Sequence, residues 1–129
     1  MIVFDTLSQL ESYEGVFPEI RTIIDVMDRS LPYEEGDGKH KTPEESNVSY
    51  IIDTFLTSSK GFESELEDCS VMEIVLEGDE IVAIDGSVFR MQPGRFLLYS
   101  ASRSVKRGLS YSLPEHTKAV RFIFCLSRS

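Results

Sequence analysis

The apolar positions along the chain change period once. Near the N-terminus they recur at helical spacing. In Pro18–Met27, "PEIRTIIDVM", the residues Ile20, Ile23, Ile24 and Met27 fall at i, i+3, i+4 and i+7, which is one face of an α-helix. Pro18 is tolerated in a first turn, and Glu19 suits the positive end of the helix. Leu7 and Leu10 predict a shorter turn or helix before it, so the helical segment covers about residues 7–28. The next stretch, "LPYEEGDGKHKTPEESN", is polar and punctuated by Asp37-Gly38 and Pro43, and reads as a loop with one short element inside it. From Val48 onward the pattern is that of strands. "VSYIIDTFLT", "SVMEIVL", "EIVAI", "SVFRM", "RFLLYS", a run from Gly108 to Leu113 and "AVRFIFCL" are separated by turn signals at Glu77-Gly78-Asp79, Asp85-Gly86 and Pro93-Gly94.

Short strands at this spacing predict an antiparallel sandwich or barrel. In the last run Phe122, Phe124 and Leu126 share one face while Ile123 and Cys125 occupy the other. Apolar residues on both faces suit a small barrel packed on a helix, not an exposed edge strand. The length, 129 residues and 14.6 kDa, suits a single domain over residues 1–129. No basic segment followed by an apolar run opens the chain, and no apolar stretch has the length of a membrane span. Cys69 and Cys125 lack CxxC spacing and read as small buried hydrophobes. The expectation is a cytoplasmic protein.

Charge changes the picture in two ways. The net charge of -9 argues against nucleic acid and anionic membrane as partners. It is also unevenly placed: residues 61–85 hold nine acidic side chains and no basic one, and residues 90–129 hold eight basic ones and only Glu115. Strands from the two segments are expected to meet with opposite charge, or to present separate solvated faces. No phosphate-binding loop, nucleophile elbow or zinc-protease motif is present. With two histidines, His40 and His116, a three-histidine metal site within one chain is impossible. Glu63, Glu65 and Glu67 alternate, so a strand would turn all three to one side, either solvated or with Glu63 and Glu65 holding a hard cation. Glu73 shares its strand face with Val71 and Val75, so it must be paired, ligand-bound or lining a cavity. Arg121 lies mid-strand between Val120 and Phe122, and a Glu73–Arg121 pair inside the barrel mouth would satisfy both.

A set of ordered pieces then gives a family resemblance. They are "MIVFDTL" at the start, "GKH" at Gly38–His40, Asn47-Val48, Phe62-Glu63, "VLEGDE" at Val75–Glu80, Gly86, "PGRFLLY" at Pro93–Tyr99, Gly108 and a last strand from Lys118. With these the chain resembles the cupin-like family of the β-galactosidase beta subunit and the sugar anomerases of sialic acid catabolism. The resemblance implies an all-β, cupin-like double-stranded β-helix, or jelly-roll barrel, with N-terminal helical segments. It also implies a cavity between the sheets and metal-dependent chemistry on reducing sugars. The family's Glu-x-His pair falls on Glu63 and Glu65, or with a one-residue shift places Leu66 at the histidine. Its in-strand polar residue falls on Glu73 and its late histidine on Val105. Both imidazoles are therefore replaced, and valine has no donor atom. An oxygen-only set of Glu63, Glu65 and Glu73 would hold a divalent cation weakly; the alternative is no cofactor.

Three functions follow from this resemblance. One is a sugar-binding protein with anomerase or epimerase activity on a reducing sugar or sugar acid. Glu73 would then be the base, Arg121 and Lys118 would orient the sugar, Glu63 and Glu65 would contact it, and His40 or His116 would shuttle protons. The second is a non-catalytic regulatory partner of a glycoside hydrolase, with a degenerate metal site. The third is a structural protein with a sealed cavity. A homodimer is expected in each case.

Overall fold

The computed structural model describes residues 2–66 and 68–124. Strand β1 (Val3–Thr6) leads into a 3-10 helix, Leu7–Tyr13, and then into α1 (Ile20–Asp28) and the one-turn α2 (Leu31–Glu34). The strands β2 (Gly38–Lys41), β3 (Ser49–Leu56), β4 (Phe62–Glu63), β5 (Ser70–Glu77) and β6 (Glu80–Ile84) follow. The chain continues through β7 (Ser87–Met91), β8 (Arg95–Ser100), β9 (Val105–Leu109) and β10 (His116–Phe124). They form a six-stranded sheet in the order β1-β8-β5-β10-β3-β2 and a four-stranded sheet in the order β4-β9-β6-β7. All pairings between these strands are antiparallel.

Two apolar layers hold these parts together. The outer layer lies between the large sheet and the helices. There Ile20, Ile23 and Val26 of α1 lose all contact with water against Met72, Ile74, Phe96, Val120 and Phe122. Burial of each such side chain stabilises the fold by about 1.5–3 kcal/mol. The apolar stripe is thus rotated from the sequence expectation. Val26 joins the fully buried set, while Ile24 and Met27 pack at its border. The inner layer lies between the sheets and contains Val71, Val75, Val82, Ile84, Leu97, Tyr99, Val105 and Ala119. Strand β5 runs between β8 and β10 with both faces covered, which explains why "SVMEIVL" does not alternate.

The turn signals are used as the sequence suggests. Asp85 and Gly86 both have positive φ, 49° and 89°, and join β6 to β7 by the two-residue turn that matches strand twist. The strand expected from Gly108 to Leu113 is displaced. Strand β9 begins at Val105 and ends at Leu109, and no strand covers residues 110–115. Residues 105–107, expected as loop, therefore alternate in and out of the barrel. Cys69 packs half-buried against the inner layer, while Cys125 and Leu126 lie outside the described residues. No helix among the described residues is long and apolar enough to cross a membrane.

Candidate functional site

Strand alternation carries a set of charged residues into the inner layer. Glu73 turns inward with Val71 and Val75, Glu80 with Val82 and Ile84, Arg107 with Val105, and Arg121 with Ala119. Glu73, Glu80 and Arg107 have no exposed surface, and Arg121 keeps 2%. Burying charge on this scale is sustainable only where partners replace water.

Arg107 is the best satisfied of the group. Its Nε donates to Oε1 of Glu73 at 2.5 Å, and its two terminal nitrogens donate to the Asp53 carboxylate at 3.0 and 3.3 Å. The rings of Phe55 and Phe62 each lie 5.5 Å from the guanidinium carbon, and the two rings meet edge-on at 5.2 Å. Phe62 also packs against the Cα of Gly108, where φ is +69° and a side chain would collide with the ring. The Gly108 N–H donates to Oε2 of Glu80 at 2.8 Å.

The Glu73 and Glu80 carboxyls lie within hydrogen-bonding reach of each other. The remaining oxygens, Oε2 of Glu73 and Oε1 of Glu80, meet no N–H or O–H group of another residue among the described ones. Two carboxyls can share such a bond only if one carries a proton. Burial pushes both groups toward the neutral form. For Glu73 the Arg107 charge and the hydrogen bonds outweigh burial and hold it below the usual carboxylate range. For Glu80, burial and then the Glu73 charge push it well above that range. The surroundings thus favour the ionised form of Glu73 and the protonated form of Glu80, the opposed shifts expected of two carboxyls sharing one buried site.

Arg121 and Tyr99 are less satisfied. Arg121 is the register partner of Glu73 across β10 and β5, yet its hydrogen bond runs from Nη2 to Oε1 of Glu65 at 2.8 Å. Its Nε and Nη1 have no partner among the described residues, and neither does the Tyr99 hydroxyl. Burial and the Glu73 charge raise the Tyr99 phenol far above its ordinary range, so it remains an O–H donor. At one end of the barrel a cavity of about 480 Å³ is lined by Glu63, Ser64, Leu66, Ala101, Ser104 and Val105, with other residues. Leu66, Ala101 and Val105 of this lining also belong to or pack on the inner layer.

The residues singled out from sequence separate into two groups. Glu73, Arg121 and Glu65 meet in or at the inner cluster, although Glu73 takes Arg107 as its ion-pair partner in place of the expected Arg121. Glu63 stays exposed on β4 opposite Lys106. Lys118 faces the helical side, where its Nζ donates to the carbonyls of Glu35 at 3.0 Å and Tyr33 at 3.4 Å. His40 stacks on Tyr50 at 5.3 Å and bonds the Gly36 carbonyl through Nε2, also on the helical side. His116 is exposed at the start of β10. Glu67 lies outside the described residues. Sequence reasoning missed Glu80, Asp53 and Tyr99 as site residues, and counted Arg107 only among the basic set.

These residues do not fit a resident metal ion of the kind the resemblance implies. Val105 offers no donor atom, Glu65 is engaged by Arg121 and Glu73 by Arg107. Among the described residues no three His, Cys, Asp or Glu side chains are grouped as ligands.

The architecture has solved counterparts. A cupin protein from Bacteroides fragilis superposes with a TM-score of 0.52 over 66% of this chain and 71% of its own, at 15% identity. The fold is a cupin barrel. A cupin-2 domain protein from Shewanella frigidimarina gives a TM-score of 0.51 over 74% of this chain and 89% of its own, at 14% identity. A cupin 2 conserved barrel domain protein from Leptotrichia buccalis gives 0.51 over 70% and 42%, at 16% identity. No protein-family model matches the chain, and no curated protein matches it in sequence. At these identities the likeness of the cupin barrels concerns the fold alone.

Proposed function

We propose that this cupin barrel binds a reducing sugar or sugar acid between its sheets and interconverts the two anomers by proton transfer. The observation that carries the reading is the buried Glu73–Glu80 pair, in which Arg107 favours ionised Glu73 and burial favours protonated Glu80, beside the unpartnered donors of Arg121 and Tyr99. The resemblance to sugar anomerases supports the same substrate class. Anomerisation requires a base at the C1 hydroxyl and an acid at the ring oxygen. Glu73 takes the hydroxyl proton while Glu80 gives its proton to the ring oxygen. The C1–O ring bond breaks as the C1 carbonyl forms. Rotation about the bond next to C1 exposes the other carbonyl face, and the reverse transfers close the ring and restore both carboxyls. Arg121 and Tyr99 hold the sugar by hydrogen bonds from their open donors.

A second reading is binding without turnover, as a sugar sensor or regulatory partner of a glycoside hydrolase. It is favoured by the engagement of Arg107 with both Glu73 and Asp53, while Arg121 and Tyr99 keep open donors. Magnetisation exchange between anomers of reducing sugars separates the two. The first reading expects faster exchange for at least one sugar and its loss in Glu73→Gln; binding with no acceleration for any sugar establishes the second.

A further inference from the structure

Arg121 has an unusual counter-ion. Arg107 takes its carboxylates from two strands of the large sheet, β5 and β3, whereas Arg121 is bonded by Glu65, which follows β4 outside any strand and whose side chain is 60% exposed. The bond uses one terminal nitrogen only. Nε and Nη1 remain buried with no partner among the described residues. A guanidinium is built to hold a carboxylate by two parallel N–H bonds, and a single-point contact leaves most of that capacity unused. Ser64 and Leu66, on either side of Glu65 in sequence, line the cavity at the barrel end, so the segment that carries Glu65 borders that cavity.

We propose that Glu65 is an internal stand-in for the carboxylate of the ligand, and that a sugar acid displaces it from Arg121. The exchange conserves charge: one carboxylate replaces another on a cation that cannot be left bare in the interior. It raises the number of bonds to Arg121 from one to two and returns Glu65 to water. A neutral sugar offers no such exchange and must bind beside an intact Arg121–Glu65 pair. The inference rests on the proposed sugar-binding reading and narrows it to acids.

The test uses the intact chain and Glu65→Gln, a change at an exposed side chain. Galacturonate, glucuronate and N-acetylneuraminate are titrated against galactose, glucose and the sugar-free carboxylate glycolate. Calorimetry gives affinity, and the Arg121 Nε–H resonance reports the contact. The expected result is that at least one acid binds about tenfold tighter than the neutral sugars and moves that resonance, and that Glu65→Gln tightens it by about tenfold more. Equal affinity for acids and neutral sugars, unchanged in Glu65→Gln, overturns the displacement and leaves sugar binding standing. Glycolate binding that moves the Arg121 resonance and tightens in Glu65→Gln, with no sugar bound, upholds displacement and overturns the sugar reading. No binding of any probe to either form overturns both.

Discussion

Replacing each member of the carboxyl pair by glutamine should have opposite consequences. Glu73→Gln removes the negative charge 2.5 Å from Arg107 Nε and leaves a guanidinium with no exposed surface facing Asp53 alone. Breaking a buried pair from one side costs about 3–5 kcal/mol, and the surviving two-point contact with Asp53 places this case near the lower end, about 3 kcal/mol. Glu80→Gln instead copies the protonated acid. Its amide oxygen can accept from the Gly108 N–H and its NH2 can donate to Glu73, so every contact survives without a titrating group. The expected change at neutral pH is within about 1 kcal/mol of wild type, in the stabilising direction. With a urea m-value of about 1.5 kcal/mol/M, Glu73→Gln lowers the unfolding midpoint by about 2 M while Glu80→Gln holds or raises it. Equal losses in the two variants at pH 7 would refute the assignment of the proton to Glu80.

Two further outcomes follow from the same geometry. The lowered Glu73 value contributes stability above the ordinary glutamate range that is lost as pH falls through its folded value. The raised Glu80 value contributes stability below that range that is lost as pH rises through its folded value. Urea midpoints should therefore decline from mildly acidic toward alkaline pH, and Glu80→Gln should flatten that limb; an unchanged slope in the variant contradicts the linkage. Gly108→Ala meets a positive φ and the Phe62 ring together, and should lower stability by about 2 kcal/mol or more in thermal or urea unfolding. A neutral result there would mean that Phe62 does not pack as described.

Much of the barrel was legible because its local signals agree with its tertiary arrangement. The Asp85-Gly86 turn, the helical stripe around Ile20 and Ile23, and the doubly buried "SVMEIVL" each carry a pattern with one physical solution. The opposite charges of residues 61–85 and 90–129 do meet, as in Glu73–Arg107, Asp79–Arg90 and Asp85–Arg103. The site was only partly legible. Glu73 is conspicuous because its face neighbours are valines. Glu80 carries the same signal, since it shares a face with Val82 and Ile84, but its place beside the Gly78-Asp79 turn disguised it as a turn residue. Arg107 was hidden by the displaced strand: a loop assignment for Val105–Arg107 removes the alternation that turns it inward. That Glu73 chooses Arg107 over its register partner Arg121 depends on the approach of the second sheet. No local pattern in β5 or β10 encodes it.

The most direct measurement is carboxyl carbon NMR of the protein labelled at glutamate side chains, followed from pH 4 to pH 9 in wild type and Glu80→Gln. The account predicts one glutamate carboxyl that titrates well above the ordinary glutamate range in wild type and is absent from the Glu80→Gln spectrum. Titration of every glutamate within the ordinary range would contradict it, and with it the acid–base pair on which the proposed chemistry depends.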